Sequence, residues 1–182
     1  MRDEQLGEAL QIIRPATLGQ KVNFQGRYFS AHLEARPKSA GKMHLLVGGG
    51  GRRIIREAAK YADEWNLTQL PSGEDWKQVR AILGSAERRI EISQMGSFVI
   101  AENESLLAAK ARAMMRGVGV RTTPELYIKE MRKKGRIVEP VRRFGDTLKQ
   151  RMDSGIEKFY FQVLDPSDTE SVDLLAGVLK AL

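Results

Sequence analysis

Leu45-Leu46-Val47-Gly48-Gly49-Gly50-Gly51-Arg52-Arg53-Ile54-Ile55 sets an apolar run, four consecutive glycines and a helix-forming run in direct succession. It reads as a strand, a turn without side chains and the start of a helix. Glycine adopts positive φ and lets a ligand approach the backbone without meeting a Cβ, so this junction exposes several amide N–H groups. A helix N-terminus adds about half a positive charge, and each hydrogen bond to a charged oxygen contributes about 1.5–3 kcal/mol. Gly48, Gly49, Gly50 and Gly51 therefore suit a phosphate, with Arg52 and Arg53 as charged helpers. The alternative is a tight strand-to-helix connection in which glycine only relieves crowding. Neither Gly-Lys-Ser nor Gly-Lys-Thr closes the run, and the dinucleotide fingerprint would need glycine where Arg53 stands, which disfavours nucleotide hydrolysis and Rossmann dehydrogenase chemistry.

Outward from this junction, strand and helix signals alternate. The apolar stretch 43–47 predicts a parallel strand covered on both faces, and Ile54, Ile55, Ala58, Ala59 and Ala62 share the buried face of the helix that follows. A short strand at 64–68, a turn at Pro71-Ser72-Gly73 and a helix burying Trp76, Val79 and Leu83 form a second unit. A strand at 90–101 and a helix carrying Leu106, Leu107, Ala111 and Met114 form a third. Thr123-Pro124-Glu125 opens an extra helix over 123–134, with Gly135 as its terminator. Phe144, Leu148 and Met152 lie on one face of the next helix, which ends at Gly155. A strand at 158–164 follows, and a capping box at Ser167-Asp168-Thr169-Glu170 starts a last helix with Val172, Leu175, Val178 and Leu179 inward. Upstream, a helix over 3–14 is expected to stop at Pro15. Val22-Asn23-Phe24 and Arg27-Tyr28-Phe29 form a small hairpin through Gln25-Gly26, before an irregular stretch through Pro37 and Gly41. About four parallel βα units with right-handed crossovers imply an α/β fold, and half of an eight-unit barrel.

Length and composition narrow the classes. With 182 residues and 42% hydrophobic content, the chain is read as one domain over 1–182 with an ample core. It contains no cysteine and two histidines, so a thiolate centre is excluded, the histidines make a poor metal set, and no metal is expected. His44, just before a buried strand, reads as structural. No secretory leader or membrane-spanning run is legible, and a cytoplasmic setting is expected. The net charge of +7 does not indicate nucleic acid, because acidic residues are interleaved and no aromatic stacking platform accompanies the basic clusters.

The segments Leu46-Val47-Gly48-Gly49-Gly50-Gly51-Arg52-Arg53 and Ala58-Ala59-Lys60-Tyr61-Ala62-Asp63-Glu64-Trp65-Asn66-Leu67 resemble the luciferase-like monooxygenase family, in its deazaflavin-dependent oxidoreductase branch. Glu8-Ala9-Leu10-Gln11-Ile12-Ile13-Arg14 and the hairpin resemble the segment leading into that family's fifth barrel strand, and Asp153-Ser154-Gly155-Ile156 its approach to the eighth. The resemblance implies a partial (β/α)8 TIM barrel, the C-terminal half, with an N-terminal helix and a small hairpin insertion. It also implies hydride transfer between a small organic substrate and a cofactor, the deazaflavin coenzyme F420 or alternatively FMN. Gly49, Gly50 and Gly51 would hold the cofactor phosphate, with Gly48, Arg52 and Arg53 beside them. Trp65 and Asn66 would stand next to the cofactor pocket, or serve as core and turn cap respectively. Asp165 and Glu102 are weaker candidates for a substrate pocket, and no catalytic residue is assigned. Nothing corresponds to the family's first four strands, so a truncated form is expected, either pairing as a homodimer or with a missing N-terminal half. The alternative is a non-catalytic half-barrel that binds a phosphorylated ligand or dimerises.

Overall fold

The structure, a computed structural model, describes residues 2–34, 43–163, 165 and 167–182. Strands and helices alternate along the chain, which divides into two compact units: residues 1–67 with 71–93, and residues 68–70 with 94–182.

The first unit opens with α1 (Arg2–Thr17) and an antiparallel hairpin of β1 (Lys21–Gln25) and β2 (Ser30–Glu34). Helix α1 does not stop at Pro15 but runs two residues further. Beyond Thr17 it is closed by Gly19, which adopts φ 68°, the left-handed conformation that closes helices. Arg27, Tyr28 and Phe29, expected as a strand, form the turn instead. Their N–H groups donate to the Glu8 carboxylate at 2.8, 2.8 and 2.9 Å, so they are unavailable to a ladder. The irregular stretch expected through Pro37 and Gly41 lies outside the described residues.

After β3 (Leu46–Gly48) and α2 (Arg52–Tyr61) come β4 (Glu64–Leu67) and α3 (Gly73–Gly84). Strands β3 and β4 are parallel, with Leu46 opposite Glu64, Val47 opposite Trp65 and Gly48 opposite Asn66. All of β4 is buried, whereas in β3 only Val47 is, and Leu46 remains 40% exposed. The expectation that the first strand is covered on both faces therefore fails. Ile55, Ala58, Ala59, Trp76, Val79 and Leu83 supply the helical side of this core.

Strand β5 (Glu91–Ala101) begins in the first unit and continues into the second, which adds α4 (Glu104–Val118), α5 (Pro124–Lys133), β6 (Ile137–Pro140), α6 (Val141–Asp153), β7 (Lys158–Gln162) and α7 (Thr169–Ala181). Strand β6 lies parallel to β5, with Phe98 opposite Ile137 and Val99 opposite Val138, and β7 also pairs with β5. Alternation along β5 sends Phe98 and Ile100 into a cluster with Phe144, Leu148, Leu175 and Val178. It sends Val99 and Ala101 into another with Leu107, Ala111, Ile128 and Met131. This is a strand apolar on both sides, as parallel strands require. Two inward assignments are corrected, because Val172 and Leu179 are exposed, and Leu106 and Met152 are exposed as well. On α6 the third buried position belongs to Arg151, whose guanidinium donates to the Gln94 side chain at 2.6 Å and the Gly135 carbonyl at 2.9 Å. No helix among the described residues is long and apolar enough to cross a membrane.

Candidate functional site

The glycine run forms the junction between β3 and α2. Gly48 is still strand, Gly49 turns the chain with φ 137°, and Gly51 is the N-cap of α2. At Gly49 only glycine fits, because a Cβ would lie 2.9 Å from Ile54 Cδ1 at a φ that side chains rarely adopt. A Cβ on Gly50 would meet nothing within 4 Å.

Two contacts from β4 fix the turn. The Gly49 N–H donates to the Asn66 carbonyl at 3.1 Å, and the Trp65 indole Nε1–H donates to the Gly49 carbonyl at 2.7 Å. Trp65 is 1% exposed and meets Trp76 edge to face, with ring centroids 6.5 Å apart. The Asn66 side chain is buried and donates to Ser93 Oγ at 2.7 Å. Both residues therefore hold the backbone of the loop; the core reading of Trp65 describes its packing, while its polar tip serves the turn.

Further support comes from Asp63, which sequence reasoning did not single out. It accepts two hydrogen bonds from Arg14 at 2.7 and 3.0 Å and one from the Leu45 N–H at 3.0 Å, tying α1 and the approach to β3 onto the start of β4. The signal lay in an Arg at the end of one helix and an Asp just before a strand, 49 positions apart, a pairing that no local pattern exposes.

The loop leaves α2 with an open N-terminus. Gly51 provides no side-chain cap and the first turn contains no acidic residue. The first intrahelical bond is Ile55 N–H to the Gly51 carbonyl at 3.0 Å, so the amides of Arg52, Arg53 and Ile54 have no acceptor inside the helix. The positive end of the helix dipole and these donors suit an anion such as a phosphate. Arg52 and Arg53 are exposed on that first turn. Arg53 lines a groove with Asp3 and Glu4 of α1 and Glu57 of α2.

Of the weaker candidates, Glu102 is exposed after β5. Asp165 borders a cavity of about 630 Å³ with Lys110, Asp168 and Ser171. Its carboxyl is held below the ordinary value by hydrogen bonds from the Ser167 hydroxyl and N–H. The helix cap expected at Ser167 is supplied instead by Asp168, which accepts from the Ser171 N–H at 3.1 Å.

A family model described as luciferase-like monooxygenase matches residues 1–159. The chain belongs to the luciferase-like monooxygenase family. Among solved structures, this luciferase-like chain resembles a coenzyme F420-dependent tetrahydromethanopterin reductase from Methanopyrus kandleri. That match has a TM-score of 0.65 at 13% identity and covers 95% of this chain and 61% of that one. An F420-dependent secondary alcohol dehydrogenase in complex with an F420–acetone adduct matches with TM-score 0.73 at 16% identity, over 99% of this chain and 62% of that one. A riboflavin lyase with modified FMN and riboflavin matches with TM-score 0.65 at 14% identity, over 90% of this chain and 48% of that one. The luciferase-like chain thus spans less than two thirds of the length of these structures. At such identities the likeness establishes the fold, the α/β partial barrel expected above. No curated protein is a significant sequence match.

Proposed function

We propose that this luciferase-like chain carries the phosphate-binding part of an oxidoreductase that uses the deazaflavin coenzyme F420, or alternatively FMN, on a small organic substrate. The observation that carries the reading is the open N-terminus of α2 behind a glycine turn strapped down by Trp65. Deazaflavin is placed first because two of the solved structures sharing this fold are deazaflavin enzymes. The amides of the Gly50–Ile54 stretch would hold the cofactor phosphate, and Trp65 and Asn66 would fix the loop that presents them. Arg52 would add charge from solvent, and Arg53 would contribute least. The bound cofactor supplies hydride transfer at its ring; this chain's residues bind and orient its phosphate end.

Calorimetric titration with F420 and, separately, FMN tests this, using the wild-type protein and Gly50→Asp. Position 50 has room for a side chain and no positive φ, so the variant keeps the fold and places a carboxylate where the phosphate would sit. Saturable binding that the variant weakens by about 10–100-fold, the equivalent of about 1.5–3 kcal/mol, supports the proposal. Equal binding by both proteins, or none by folded wild type, refutes it.

A second reading concerns assembly. Strand β3 stands at one end of the strand order and its Leu46 is 40% exposed, and a strand at the margin of a sheet invites pairing. We propose that β3 pairs with a second copy of the chain or with a segment that supplies further barrel strands. Sedimentation of a species of one chain's mass, unchanged by Leu46→Lys, would dismiss the second-copy form of this reading.

A further inference from the structure

The first unit holds another concentration of ligand-bearing side chains, at the opposite ends of its strands from the glycine loop. His44 precedes β3, Glu64 opens β4 and Glu91 opens β5. Each offers one ligand atom, and the three atoms lie within 4.8 Å of one another. His44 Nε2 stands 2.8 Å from Glu64 Oε2. The Glu64 side chain is 0% exposed and that of His44 48%, while Glu91 is half-buried.

Two carboxylates so close repel each other when ionised, and a cation shared between them relieves that repulsion. The neighbouring Asp63 is committed to Arg14 and the Leu45 N–H, so it does not compete for this position. One imidazole and two carboxylates form a donor set that suits Zn²⁺, Mn²⁺ or Fe²⁺ better than the all-oxygen preference of Ca²⁺ or Mg²⁺. Three protein ligands with one exposed side leave a coordination position for water. A tetrahedral ion about 2.0–2.1 Å from each ligand sets imidazole nitrogen and carboxylate oxygen about 3.3 Å apart, so the present pair needs to open only slightly, which the exposed ring of His44 permits.

We propose that His44, Glu64 and Glu91 form a site for one divalent first-row transition ion, of which Zn²⁺ is the representative. At about 3.3 Å per residue, His44 and Gly49 are about 16 Å apart along the chain, so this site is separate from the phosphate loop and does not depend on the function proposed above. Its ion joins the starts of three strands through one centre, a structural tie that metal binding couples directly to folding.

The test uses the tag-free 182-residue protein, stripped with chelator and titrated with Zn²⁺ by calorimetry, then loaded with Co²⁺ and read by its visible absorption. His44→Gln and Glu91→Gln are the variants, since neither residue is fully buried, and His32→Gln is the control, on a histidine that bonds Asn23 instead. Circular dichroism establishes that each protein is folded. The expected result is one saturable Zn²⁺ per chain, ligand-field bands with Co²⁺ and a higher melting temperature with the ion. Affinity falls more than about tenfold in each variant, as for the loss of a ligand or its close support, and stays unchanged in the control. Absence of saturable binding by folded wild type overturns the proposal, as does undiminished affinity in either variant.

Discussion

Gly49 and Gly50 are adjacent, yet the chain requires glycine of only one of them. Gly49→Ala sets a Cβ against Ile54 at φ 137°, and backbone strain with local overpacking should cost about 2–4 kcal/mol. Gly50→Ala enters open space and should shift stability by less than about 0.5 kcal/mol. Urea denaturation of the two variants beside wild type measures both, and equal losses would mean the turn is not shaped as described. Trp65→Phe removes the hydrogen bond to the Gly49 carbonyl, worth about 1 kcal/mol, and leaves a cavity where the larger, 1% exposed indole packed, so the total loss should exceed that figure. The same denaturation series should show that loss. The importance of this residue run was legible from its composition, since four glycines between a strand and a helix mark a backbone that turns sharply or is closely approached. That Trp65 and Asn66 act on the loop's backbone was not, because a buried indole gives the same local pattern whether or not its N–H reaches across to the next strand.

Among the elements, the legible ones carry strong periodic signals. Helix α3 has Ser72 as N-cap and buries Trp76, Val79 and Leu83, as its spacing predicts. Strand β6 was missed because Ile137-Val138-Glu139-Pro140 is too short to alternate, ends in proline and runs straight into α6. The start of α7 shows a different failure: Ser167 and Asp168 are both good caps, and the choice went to the residue that Lys110 also reaches, at 3.0 Å. Burial, the largest single influence on the Asp168 carboxyl, pushes its pKa up, but the hydrogen bonds from Ser171 and Lys110 outweigh it and the net shift is downward. A folded-state pKa below the unfolded one contributes stability that is fully present above the unfolded value, about 3.9, and is lost as pH falls through the lower folded value. Asp168→Asn keeps an oxygen for the cap and removes the charge facing Lys110. It should unfold at lower urea than wild type at neutral pH, and the difference should close on acidification below about pH 4. A gap that persists in acid would assign the effect to packing.

For the molecule as a whole, the α/β class followed from the alternation of strand and helix signals, while the division into two compact units had no marker in the sequence. No proline- or glycine-rich linker separates residues 93 and 94, which lie inside one strand. Strand β5 runs across this boundary without a break. We expect residues 1–182 to melt as one domain, with a calorimetric enthalpy equal to the van't Hoff enthalpy; two resolved heat-absorption peaks would contradict this. The chain's two tryptophans, Trp65 and Trp76, sit ring against ring in the first unit, so indole emission is blind to the second. An experimenter who follows denaturation by fluorescence watches one unit, and one who follows it by helical ellipticity watches both. Nature has thus labelled a single side of the boundary, and two ordinary spectrometers, with no added dye, can tell whether the unlabelled side lets go at the same moment.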